Sequence, residues 1–170
     1  MKSLQIIQKT YHVFEILLRI GMIAAFIWVA ISAAGVICAI VWQDSIAALL
    51  QELTGISGTF EIIGSLLCSL IAALADGILC LLALRYVKAE QADGTPVTFS
   101  GAQQLKRLGI QTIVIPLVAQ ILSAVVYEIF DATFQPEWFD GGSIIIGVVL
   151  ILVALVFRYG AELEEARSEE

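Results

Sequence analysis

Charge is what this sequence has least of. Only 15% of its 170 residues are Asp, Glu, Lys or Arg, and residues 20–43, 62–84, 108–127 and 141–157 contain neither Lys nor Arg. Soluble domains carry about 25% charged residues, so 59% hydrophobic residues and a mean hydropathy of +0.93 exclude that class. Histidine occurs once, as His12, which rules out a histidine-based metal cluster. The three cysteines, Cys38, Cys68 and Cys80, all lie inside apolar runs. An odd number with none in a loop excludes a disulfide framework and reads as free thiols, although Cys38 and Cys68 share a similar depth and leave one bridge open.

Other absences narrow the function. The nine Lys and Arg residues are scattered against a net charge of −7, so there is no basic face for a phosphate backbone and direct nucleic-acid binding is not expected. No segment outside the apolar runs approaches the roughly 40 residues a domain needs to bury a core unaided. HExxH, GxSxG with triad partners, and paired aspartates at membrane depth are missing, so neither an enzyme nor a cofactor is expected.

What is present is an all-α integral membrane protein, one membrane domain over residues 1–170. A helix rises 1.5 Å per residue, so about 20 apolar residues cross a ~30 Å hydrocarbon core. The four runs predict a four-transmembrane-helix bundle with spans at 20–43, 62–84, 108–127 and 141–159, the last short run borrowing Arg158 and Tyr159 as a collar. Lipid offers the backbone no hydrogen-bond partners, which leaves helices as the only reading of runs this long. All the basic residues fall in the N-terminal segment, in residues 85–107 or in the tail, and the connections 44–61 and 128–140 have none. The positive-inside rule then predicts both termini and the 85–107 connection in the cytoplasm, with a multi-pass location in the cell membrane. The external carboxylates, Asp44, Glu52, Glu61, Glu128, Asp131, Glu137 and Asp140, account for the whole net charge.

Within this frame the segments have distinct chemistry. Leu4, Ile7, Tyr11, Phe14 and Leu18 follow a 3,4,3,4 spacing, which predicts an amphipathic interfacial helix leading into the first span, with Glu15 and Arg19 set to pair at i,i+4. Ser65, Ser69, Ala73 and Gly77 recur every fourth residue and form a small-residue ridge for helix packing. Asp76 beside them costs ~2.5–3.5 kcal/mol at bilayer depth and is expected to face the bundle interior. There it could join Trp28, Gln111 and Gln120 in a polar cluster near Pro116, as a helix–helix hydrogen bond, a proton or cation relay, or a ligand contact. Asp93-Gly94-Thr95-Pro96 stops the second helix, and Ser100-Gly101-Ala102-Gln103 fits a capping box for the third. Outside, Ile46, Leu49, Leu50 and Leu53 suggest a surface helix, and Phe130, Phe134, Trp138 and Phe139 an aromatic anchor.

Gly94-Thr95-Pro96, then Gln104-Leu105-Lys106-Arg107-Leu108-Gly109, then Phe157-Arg158-Tyr159-Gly160-Ala161-Glu162-Leu163-Glu164-Glu165, resemble a family of small four-span bacterial membrane proteins classed as a domain of unknown function. The resemblance covers nearly the whole chain and carries over no catalytic residue. Members are often encoded beside a small helix-turn-helix regulator, which implies a membrane partner for a transcription factor. The residues themselves offer a basic turn-helix (Lys106, Arg107) and a tail with Arg158, Glu162, Glu164 and Glu165 as a cytoplasmic rim. The expected function is therefore regulation or scaffolding: the rim engages a cytoplasmic protein, and lipid bilayer surrounds the spans. A second copy of the chain is open as a further partner. The alternative is a small proton- or cation-coupled transporter or channel built on Asp76.

Overall fold

A computed structural model of the chain describes residues 2–41, 59–93, 99–130 and 141–168. These form four helices: α1 (Lys2–Val41), α2 (Thr59–Asp93), α3 (Phe99–Phe130) and α4 (Gly141–Ser168). Each contains a stretch long and apolar enough to cross a membrane: His12–Val41, Phe60–Gln91, Phe99–Phe130 and Gly142–Leu163. The suggested surface helix at Ile46–Leu53 and the aromatics Phe134, Trp138 and Phe139 lie outside the described residues.

Side-chain placement is inverted relative to a water-soluble bundle. Exposed positions are held by large apolar residues such as Ile23, Phe26 and Ile27 on α1, Ile121 and Leu122 on α3, and Leu152 and Val156 on α4. Small residues hold many of the buried positions, among them Ala39, Ala73, Ala75, Ala102 and Ala154, beside fewer large ones such as Ile62, Leu84 and Leu105. Water would drive the large side chains inward, whereas lipid removes that drive and rewards close backbone approach through small residues. An apolar surface this extensive identifies a helical bundle made for a membrane.

The helices are longer than the apolar runs that nucleate them. α1 continues unbroken from Lys2, so the expected interfacial lead-in and the first span are one helix. Arg19 Nη2 donates to Glu15 Oε1 at 2.6 Å, and the Glu15 side chain is 13% exposed while Phe14 and Leu17 stand exposed. α2 ends at Asp93, immediately before Gly94. α3 opens at Phe99, so Ser100 sits within its first turn instead of capping it, and its hydroxyl accepts from Gln104 Nε2 at 3.3 Å. α3 also runs through Pro116, which deprives the Thr112 carbonyl of its N–H. One turn earlier, the Thr112 hydroxyl donates to the Leu108 carbonyl at 2.9 Å.

The chain packs as two compact units, one of Met1–Met22, Ile78–Ile115 and Asp140–Glu170, the other of Ile23–Gly77 and Pro116–Phe139. In the first, α3 and α4 meet backbone to backbone and antiparallel. A Cβ added at Gly109 would lie 2.9 Å from the Gly147 carbonyl oxygen and 3.1 Å from the Ile151 nitrogen, and one at Gly147 would lie 2.8 Å from the Gly109 carbonyl oxygen. In the second, α1 and α2 run antiparallel: Gly35 meets Leu66, Ser32 meets Ser69, and Ala25 meets Gly77. There Cys68 Sγ also donates to the Ser123 carbonyl of α3 at 3.5 Å. Cys38, Cys68 and Cys80 are all free thiols, so the bridge left open above is not formed.

Candidate functional site

Within the second unit, Asp76 makes no hydrogen bond or ion pair with Trp28 or Gln120. Trp28 is 56% exposed, and its indole N–H, which in lipid must find an acceptor, donates to Ser69 Oγ at 2.8 Å. Asp76 is exposed and makes no hydrogen bond or ion pair with a described residue. Its neighbours Ala73, Ala75 and Gly77 occupy the buried strips of α2, which leaves Asp76 on an exposed arc instead of the expected interior. Gln120 is half-buried and held by an interaction of its own, and Gln111 belongs to the other unit.

The small-residue series lies partly against α1. Ser69 bonds Trp28 and stands 3.4 Å from the Ser32 hydroxyl, Ala73 is buried, and Gly77 faces Ala25 and Phe26. A Cβ at Gly77 would stand 3.6 Å from the Ala25 Cβ, an ordinary contact. Ser65 turns back on its own helix, donating to the Glu61 carbonyl at 2.9 Å.

A concavity in the first unit lies between α3 and α4, with a volume of about 370 Å³. Phe99, Ala102, Gln103 and Lys106 line it from α3, and Ala154, Leu155 and Arg158 from α4. The close Gly109–Gly147 crossing holds the two backbones together beside it. Ala102 and Ala154 are buried at its floor, while Lys106 and Arg158 stand exposed at its edge. Arg158 Nε donates to Glu162 Oε1 at 3.0 Å within α4, leaving the terminal guanidinium nitrogens clear of that bond. Lys106 and Arg107 make no ion pair with a described residue. Two cationic side chains over an apolar floor, next to the amino end of α3, can bind an anion that carries an apolar body.

Glu162 and Glu165 are exposed on the tail of α4. The side chain of Glu164 lies outside what is described. Sequence reading missed two features. Glu90 on α2 is only 4% exposed, and its step of three from Val87 and Leu84, both buried, is the readable signal. The Gly109–Gly147 crossing was also missed, although Gly147, Ala154 and Ala161 recur at heptad spacing on α4 and are all buried. Among the described residues no group of three His, Cys, Asp or Glu gathers as a metal would require. No protein-family model, curated protein or solved structure matches this chain.

Proposed function

We propose that this chain is a cell-membrane scaffold, threaded with both termini in the cytoplasm, that holds a soluble protein against its cytoplasmic rim. The observation that carries the reading is the unbroken course of α4 past its apolar run to Ser168. That extension presents Glu162, Glu165 and Arg167 on an exposed helical surface, with Leu163 55% exposed among them. Glu162, Glu165 and Arg167 offer a partner charges to pair with, and Leu163, at the end of the apolar stretch, offers it an apolar contact. Arg107, adjacent to the groove, adds a cation of the opposite sign to the tail carboxylates. The distribution of basic residues supports the orientation. The resemblance to small four-span bacterial membrane proteins supports a DNA-binding regulator as the candidate partner.

Coupled transport through Asp76 is the weaker reading. A relay needs polar groups in line with the carboxylate, and Asp76 meets none among the described residues.

The test is capture of a soluble protein from native membranes solubilised in mild detergent. The full chain is expected to retain a stoichiometric soluble partner, and removal of residues 161–170 is expected to reduce that retention at least about tenfold, the order of losing one well-packed anchor. Equal recovery by the full and truncated chains, or no partner with either, would count against the scaffold.

A further inference from the structure

We propose that the α3–α4 groove is a binding site for an anionic glycerophospholipid, whose phosphate lies between Lys106 and Arg158 and whose glycerol and first acyl carbons lie over Ala154 and Leu155. The inference rests on the helices crossing a membrane and not on the partner proposed above. It leaves Arg107 and the α4 tail to that partner.

The depth of the groove argues for lipid. Lys106 lies two positions before the apolar run that begins at Leu108, and Arg158 directly follows the run that ends at Phe157. The two cations therefore stand at the level where phospholipid phosphates lie, and Ala154 and Leu155 stand just inside, where acyl chains begin. Basic pockets between membrane helices at this level suit anionic head groups. A free phosphate would need the cations but not the apolar lining of Ala154 and Leu155.

The charge arrangement fits one monoanion. Lys106 has no ion pair or hydrogen bond to a described residue, so its ammonium is available. Glu162 engages only Nε of Arg158, which steadies the guanidinium while its outer nitrogens can fork onto two phosphate oxygens. Gln103 adds an amide to the same lining.

The experiment is native mass spectrometry of the full chain in mild detergent, titrated with phosphatidylglycerol or with phosphatidylcholine of the same acyl chains. Phosphatidylglycerol is expected to stay bound at least about tenfold more tightly, because two basic side chains meet its negative phosphate with no choline to compete. Lys106→Gln alone should remove part of the preference, and Lys106→Gln with Arg158→Gln should bring the ratio to about one. Arg85→Gln, which removes an exposed cation outside the groove, should leave it intact, and millimolar inorganic phosphate should not displace the lipid. Both groove cations are exposed, so helicity and a single gel-filtration peak should persist in every variant. Equal retention of the two lipids would overturn the assignment, as would a preference that survives the double substitution or collapses equally in Arg85→Gln. Displacement by inorganic phosphate would overturn the lipid in favour of a free anion.

Discussion

Gly147→Leu is expected to lower stability by on the order of 3 kcal/mol and to leave little folded protein in detergent. Gly109→Ala and Gly147→Ala should each cost about 1–3 kcal/mol. The cause is backbone meeting backbone. The side chains of Ile151 and Ile113 stand nearest and would have to shift, but behind them are the carbonyl oxygens of Gly109 and Gly147 and the nitrogen of Ile151, which cannot move aside as a side chain can. Restoring an ordinary carbon–oxygen distance would push α3 and α4 apart along the seam that buries Ala102, Leu105, Ala154 and Ala161. Gly77→Ala provides the contrast, because its new methyl would make only ordinary contact with Ala25 and should be neutral, or stabilising by up to about 1 kcal/mol through better helix propensity. Unfolding midpoints in mixed micelles measure all four. Equal loss in Gly77→Ala and Gly147→Ala would place the tight crossing elsewhere.

Asp76→Leu is expected to stabilise the isolated bundle by about 2–3 kcal/mol, the opposite of what deleting a buried hydrogen-bonded carboxyl would do. Asp76 lies midway along α2, exposed and without a hydrogen bond to a described residue. A carboxylate at that depth costs ~2.5–3.5 kcal/mol on insertion scales, and leucine there is favourable. Asp76→Asn should recover a smaller part, because the amide still has to find partners. The same micelle unfolding experiment reads the sign directly. Destabilisation by Asp76→Leu would mean that the carboxyl is satisfied inside the bundle after all.

The four membrane-length helices among the described residues were legible because the apolar runs are long and free of Lys and Arg. Their ends were less so. Helix formation propagates past the apolar run wherever nothing stops it, which is why α1 absorbs residues 2–19, why α2 reaches Asp93 before Gly94, and why α4 continues to Ser168. Lys106 and Arg158 were already placed on one rim, yet the groove they edge was not foreseen, since it depends on how closely α3 and α4 approach. That approach is set by two glycines far apart in sequence, and only one of them belonged to a motif that had been singled out. Asp76 was misplaced for a related reason. Its residue type says that burial or a partner is favourable, but the arc it occupies is decided by Ala73, Ala75 and Gly77, whose small size claims the packed faces of α2. Glu15 was read more fully: its i,i+4 pair with Arg19 is present, and its side chain is only 13% exposed.

Threading through the bilayer with both ends inside is tested most directly by single-cysteine labelling. With Cys38, Cys68 and Cys80 replaced by alanine, Ser57→Cys and Thr133→Cys should react with a membrane-impermeant maleimide added to intact cells. Thr95→Cys and Ser168→Cys should react only after permeabilisation. Reaction of the Ser57→Cys and Thr95→Cys variants from the same side of the membrane would contradict the four crossings on which everything else depends.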